Sequence, residues 1–192
     1  MEQGNAFRRS PIGIRILLKF TINNIPRKDA IMFNINQSQP LYDNNAVQPM
    51  RDELIYVGVE ELLTEEMVDE VIGAKNDETV FVIINSVCGC AAGSARPSVA
   101  LALQNEVIPD KFVSLFAGQE RDAVEHFRSQ HTPQTAPSSP SMFLFKNGQL
   151  IFDLPRFQIE GRTADEIASV LTETFNTRCS RKGPSISKED YE

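Results

Sequence analysis

The sequence predicts an α/β domain with a mixed central β-sheet and helices on both faces, and three observations lead there. Residues 79–85, TVFVIIN, are continuously apolar and β-branched, the composition of a strand buried on both sides. A helical stretch and a second strand-like run, KFVSLFAG at 111–118, follow it, giving a strand–crossover–strand unit and hence a parallel pair. The segment SMFLFKNGQLIFDL at 141–154 then carries Asn147-Gly148 between two short apolar runs, a strong hairpin signal that adds antiparallel strands.

The elements follow in order. Residues 1 to about 31 show no clear periodicity, and MFNINQSQPLYDNNAVQP from Met32 is polar and rich in Asn and Gln. Residues 1–47 are therefore assigned to an N-terminal extension and 48–179 to the domain. Pro49 suits the first turn of a helix with acids after it, and Gly58 ends that helix. Thr64 is placed to cap EEMVDEVIGAK, with Met67, Val68, Val71 and Ile72 on its inner face. After the first buried strand, AAGSARPSVALALQNEV reads as a helix with Val99, Leu101, Ala102 and Leu103 inward, and with Pro97 in its first turn or at a kink. QERDAVEHFRSQH follows the second strand as a helix with Val124 and Phe127 inward. TPQTAPSSP at 132–140 is a loop by its proline and serine content. TADEIASVLTETFNTRC closes the domain as an amphipathic helix capped by Thr163, burying Ile167, Val170, Leu171 and Phe175. The polar tail 180–192 is expected to be disordered. Helix, strand, helix, strand, helix, hairpin, helix is a thioredoxin-like arrangement.

A chain of 192 residues with 41% hydrophobic content holds one domain with a proper core. Its formal net charge of -7 supplies no positive field for a phosphate backbone or an anionic membrane, so nucleic acid and membrane partners are not expected. Three cysteines are too few for a disulfide scaffold and fit a reducing compartment, where closely spaced cysteines mean redox chemistry or metal. In FRRSPIGIRILLKFTI, Arg15 and Lys19 interrupt the apolar stretch and no cleavage site follows, and no run approaches the roughly 18 apolar residues of a membrane span. The expected location is cytoplasmic.

Cys88 falls where the buried strand hands over to a helix. Free N–H groups and the positive dipole end there favour an anion, and the thiolate is the form that attacks sulfur. Gly89, Ala91, Ala92 and Gly93 leave that sulfur unobstructed for a partner backbone. Residues two apart on a regular helix point to nearly opposite sides, so a Cys88–Cys90 disulfide requires a non-helical turn through Gly89 with some strain. Exchange of Cys88 with an outside thiol is favoured over stable self-pairing, with Cys90 resolving the product or standing aside. Arg96 lies one to two turns on and is read as a solvated arginine able to add positive charge. Cys179, at the end of the last helix, reaches Cys88 if that helix ends nearby and is otherwise a spare thiol. Metal binding by Cys88, Cys90 and Cys179 lacks a fourth ligand, and His126 and His131 are read as ordinary surface residues, so no metal site is assigned. Pro140 precedes a strand after a long loop, where a cis bond would present backbone groups to an extended partner chain. Gly89, Ser139 and Pro140 are the candidate substrate-binding positions.

The stretches NSVCGCAAGSARP (85–97), FAGQERDAV (116–124), PSSPSMFLFKNG (137–148) and PRFQIEG (155–161), with Cys179, resemble the bacilliredoxin family, thioredoxin-like proteins with a Cys-Gly-Cys motif. The resemblance runs from about Gln48 to Cys179. It implies removal of a low-molecular-weight thiol, bacillithiol or one like it, from S-thiolated client proteins. Cys88 is then the attacking thiol, Cys90 a candidate resolving one, with Cys90 or Cys179 left open for that step, and Pro140 the cis-proline of the fold. No tightly bound cofactor is implied; the small thiol is a co-substrate, and a thiol or a disulfide reductase regenerates the protein. The motif has one residue fewer between its cysteines than thioredoxin and the chain has no tryptophan, which argues against general thioredoxin-like reduction. A protein disulfide isomerase and a non-catalytic cysteine metal-binding or adaptor module are the alternative readings, and oligomeric state is left open.

Overall fold

The computed structural model describes residues 38–191; the FRRSPIGIRILLKFTI segment and the first 37 residues of the expected N-terminal extension lie outside the described residues. The strands are β1 (Glu60–Glu61), β2 (Thr79–Asn85), β3 (Val107–Ile108), β4 (Lys111–Phe116), β5 (Ser141–Lys146), β6 (Gln149–Leu154) and β7 (Arg181–Lys182). The helices are α1 (Asn44–Ile55), α2 (Glu65–Ile72), α3 (Arg96–Ala102), α4 (Arg121–His126), α5 (Arg156–Ile159), α6 (Ala164–Arg178) and α7 (Lys188–Tyr191), with wider π turns at Ala91–Ala95 and Phe127–His131.

β2 is buried at every position because both of its edges and both of its faces are covered. It pairs parallel with β4 and antiparallel with β5, and the sheet order is β1-β4-β2-β5-β6. Successive side chains of a strand point to opposite faces, and β2 divides accordingly. Phe81 and Ile83 join Leu54, Val99, Leu103, Ile167, Leu171 and Phe175, from α1, α6 and the helix ending in α3. Val80, Val82 and Ile84 join Val68, Ile72, Ala123, Val124 and Phe127, from α2, α4 and the second π turn. Phe81 and Phe175 meet edge to face at 5.5 Å. Each such fully buried side chain contributes about 1.5–3 kcal/mol, which makes this two-sided core the main support of β2. The mixed sheet, its strand order and the helices on both faces make the fold thioredoxin-like.

Local signals explain most boundaries. Asn147 at φ 52 and Gly148 at φ 70 form the two-residue turn of the β5–β6 hairpin, a conformation that favours Asn-Gly. Thr163 and Glu166 form a reciprocal capping box at the start of α6. Thr64 Oγ1 accepts from the Met67 N–H at 3.3 Å and starts α2. Arg96 N–H bonds back to the Ala91 carbonyl in the π turn just before Pro97; the wider turn accommodates a ring that has no N–H to offer.

Several expectations are corrected. α1 begins at Asn44 rather than at Pro49, because Asp43 accepts from the Asn45 and Ala46 N–H groups and caps the helix five residues earlier. Chain packed on the domain accordingly reaches back before residue 48: Leu41 N–H donates to the Gly118 carbonyl at 2.7 Å. Leu101 is 38% exposed, since Val99, Ala102 and Leu103 keep the i, i+3, i+4 face and the i+2 position points away from it. On α2, Val68 and Ile72 take the buried positions, while Met67 is exposed and Val71 half-buried. Val170 of α6 is likewise half-buried. The tail expected to be disordered folds back instead: β7 pairs with β3, Ser185 N–H donates to the Leu103 carbonyl at 2.9 Å, and Ile186 and Tyr191 pack against the core. Two apolar anchors in an otherwise polar dozen residues give it a surface to bury. Among the described residues, no helix is long and apolar enough to cross a membrane.

Candidate active site at the strand–helix junction

β2 ends at Asn85, and three residues later Cys88 starts the helical run that continues through the first π turn into α3. The Cys88 carbonyl accepts from the Ala91 N–H at 3.0 Å and the Ala92 N–H at 3.2 Å, so Cys88 occupies the capping position. There the Cys90 and Ala91 backbone N–H groups favour the anionic form of its sulfur. Ser86 Oγ adds a third donor at 3.2 Å. The Cys90 sulfur lies 2.6 Å from that of Cys88, and the two cysteines are free thiols.

The departure from the regular helix that the two sulfurs need in order to meet is made at Cys88: a cap has a non-helical backbone and its side chain turns over the first turn, where Cys90 sits. Proximity of the sulfurs comes with the cap.

Burial raises the Cys88 thiol, but the hydrogen bonds from the Cys90 thiol, Ser86 and the two N–H groups outweigh it and hold the thiol below the ordinary cysteine range. Cys90 moves the other way. Burial, its hydrogen bond to Cys88 and the charge on Cys88 all raise it, partly offset by the Arg156 guanidinium. One sulfur thus ionises first while its neighbour keeps a proton to donate to it.

Arg96 is 3% exposed, not a solvated surface residue. Its guanidinium pairs with Glu53 at 2.7 Å and donates to the Asn85 side-chain oxygen and the Ser86 carbonyl, each at 3.2 Å. Asn85 accepts from the Ser86 N–H at 2.8 Å and donates to the Met50 carbonyl at 3.1 Å. The network from α1 to the β2 end fixes the loop that carries Ser86 and Cys88; Arg96 acts by position, not by charge on the sulfur.

Of the other expected positions, Gly89 is exposed and a Cβ there would meet nothing within 4 Å, so the glycine keeps the face beside the sulfurs open. Ala92 and Gly93 are also exposed, whereas Ala91 is buried in the core. Ser139–Pro140 is a cis peptide bond, and Pro140 is buried immediately before β5, whose Ser141 pairs with Ile84. That register brings Ser139 and Pro140 to the same sheet end as the cysteines.

Cys179 is elsewhere. It lies beside Thr79 at the beginning of β2, and burial pushes its thiol up to about 11. Thr79 and Asn85 are six residues apart on one strand, about 20 Å at the usual rise. The last helix returns to the far end of the sheet, so Cys179 does not join the pair.

Two functional residues escaped sequence reading. Ser86 is a small polar residue between a strand and a cysteine, and its position two before Cys88 was the available signal. Arg156 begins α5, donates to the Ser139 carbonyl at 3.4 Å and to Glu160 at 3.3 Å, and interacts electrostatically with both sulfurs. Nothing local in PRFQIEG marks it, because its nearness to residues 88 and 90 is made by the hairpin. Val87 at 37% and Phe157 at 76% exposure add apolar surface next in sequence to Cys88 and Arg156.

A family described as "Disulphide isomerase" matches residues 42–179. A bacilliredoxin of Salinibacter ruber (strain DSM 13855 / M31) is 46% identical over 143 residues, covering 74% of this chain and 83% of that protein. A bacilliredoxin of Staphylococcus aureus (strain NCTC 8325 / PS 47) is 42% identical over 142 residues, covering 74% of this chain and 96% of its own. Among solved structures, the oxidised thioredoxin of Plasmodium falciparum matches with a TM-score of 0.41 at 15% identity, covering 62% of this chain and 99% of that one.

Proposed function

This chain belongs to the bacilliredoxin family of thiol oxidoreductases, and we propose that it removes a low-molecular-weight thiol, bacillithiol or a related compound, from S-thiolated client proteins in the reducing cytoplasm. The observation that carries the reading is the Cys88 sulfur at the start of a helical run, accepting from Ser86 Oγ at 3.2 Å and set 2.6 Å from the Cys90 sulfur, with the Cys88 thiol lowered and the Cys90 thiol raised.

The cycle balances as two exchanges. Cys88 thiolate attacks the small-thiol sulfur of the mixed disulfide; a Cys88–small-thiol bond forms, the client sulfur–sulfur bond breaks, and the client leaves as a thiolate that takes up a proton from water. Cys90 thiolate or an external thiol then attacks the Cys88 sulfur and releases the small thiol. If Cys90 attacks, the resulting Cys88–Cys90 disulfide needs two electrons from a small thiol or a disulfide reductase to restore the pair. Arg156 favours anionic sulfur at both stages, and the open face at Gly89, with Ser139 and Pro140 beside it, receives the client backbone.

Mass spectrometry of an S-bacillithiolated client tests the nucleophile. Wild-type protein removes the adduct and Cys88→Ala does not; equal removal by the variant rules out Cys88. The family's description supplies a second reading, isomerisation of protein disulfides. Recovery of a scrambled multi-disulfide protein at a rate exceeding adduct removal would favour it.

A further inference from the structure

The two histidines of the chain meet on one carboxylate at the end of the domain away from the cysteines. Asp69 of α2 has Oδ1 at 2.8 Å from His126 Nε2 and at 3.0 Å from His131 Nε2. The three donor atoms all lie within 4.8 Å of one another. In a regular helix, residues five apart face well away from each other; the π turn at Phe127–His131, closed by Thr132 N–H on the Phe127 carbonyl at 3.2 Å, returns His131 to the side of His126. His131 stacks on Phe127 with ring centroids 6.1 Å apart and lies edge-on to Phe145 at 6.5 Å, so its ring is held. The other nitrogen of His126, Nδ1, faces Glu65 Oε2 at 3.8 Å.

We propose that Asp69, His126 and His131 form a site for one divalent transition-metal ion, zinc being the reference ion, with Glu65 orienting His126 from outside the ligand set. The donor types suit such an ion: two imidazole Nε2 atoms and one carboxylate oxygen, with open positions for water. Metal–ligand distances of about 2.1 Å in a tetrahedron require ligand atoms about 3.4 Å apart. The present 2.8 and 3.0 Å are hydrogen-bond separations that open to that value by small side-chain rotations, mostly of the exposed Asp69. A carboxylate on the outer nitrogen of a ligating histidine is a recurrent way of fixing its tautomer. Glu65, Glu66 and Asp69 on one helix, in a chain of net charge -7, favour a cation. His131 touches Phe145, whose strand partner is Val80 at the beginning of β2, whereas Cys88 lies past its end. The ion therefore ties α2 to the α4 π turn and takes no part in thiol exchange.

The test uses the full chain carrying Cys88→Ser, Cys90→Ser and Cys179→Ser, so that no thiol can bind. Calorimetric titration with zinc chloride gives one equivalent bound, and saturation raises the melting midpoint. Asp69→Asn and His131→Gln, added singly and shown to fold by circular dichroism, each lose binding by tenfold or more. Cobalt substitution gives d–d bands with no thiolate charge-transfer band. No binding by the cysteine-free chain, or binding that survives both substitutions, overturns the proposal.

Discussion

Ser86→Ala isolates one support of the Cys88 thiolate. Ser86 is 6% exposed, and its backbone contacts with Asn85 and Arg96 survive the change, so the loss is the hydroxyl that donates to the Cys88 sulfur at 3.2 Å. Hydrogen bonds to charged groups contribute about 1.5–3 kcal/mol, and one to a half-exposed sulfur, a weak acceptor, falls below that, at about 1 kcal/mol. That is about a fivefold fall in the thiolate fraction wherever Cys88 is only slightly ionised. A more basic thiolate is also the better nucleophile; with a Brønsted slope of about 0.45 it gains about twofold. The net expectation is alkylation by iodoacetamide about 2.5-fold slower at low pH and about twofold faster once both proteins are fully ionised. The sign follows from the direction of the shift: Cys88 is held below the ordinary cysteine range, so removing a donor moves its ionisation to higher pH and the two profiles cross. Intact-mass kinetics on a Cys179→Ser background read it. Profiles that coincide, or differ by a constant factor at every pH, refute the donor role of Ser86.

Arg96→Ala should lower stability by about 2–3 kcal/mol, at and below the lower limit of the about 3–5 kcal/mol for breaking a fully buried pair because Glu53 is 48% exposed. Arg96→Lys should recover only part of that, since an ammonium cannot serve Glu53, Asn85 and Ser86 together; urea midpoints measure both. Arg156→Gln should slow attack on an anionic small-molecule disulfide at low salt and lose its effect at about 1 M salt, where screening removes an exposed charge's influence. Cys179→Ser should leave turnover unchanged. In the native chain, labelling of Cys179 should stay slow at neutral pH and rise only toward about pH 11, because the raised thiol is protonated below that.

The fold was legible because its signals are local or periodic. TVFVIIN, Asn147-Gly148 and Thr163 with Glu166 each specify an element within a few residues, and the element order then leaves few topologies. The placement of Cys88 at the strand–helix junction was legible for the same reason. What escaped depends on long-range register. Arg96 looks like any helix arginine until α1 brings Glu53 over it, and Arg156 reaches the cysteines only when the hairpin is folded. Cys179 was left open by sequence, near Cys88 or apart from it, and its neighbour Thr79 sets it at the end of β2 away from Cys88. The cysteine spacing was legible as a condition, a turn out of the helix, and the cap at Cys88 meets it. The tail misled because its polar composition outweighed Ile186 and Tyr191, which together suffice to dock it.

The most direct test of the account is the position of the adduct on Cys90→Ala. Incubated with an S-thiolated client, this variant should stall after the first exchange, and intact-mass and peptide analysis should find one small thiol on Cys88 with the client released in reduced form. A small thiol on Cys179, or a Cys88–client disulfide in its place, contradicts it.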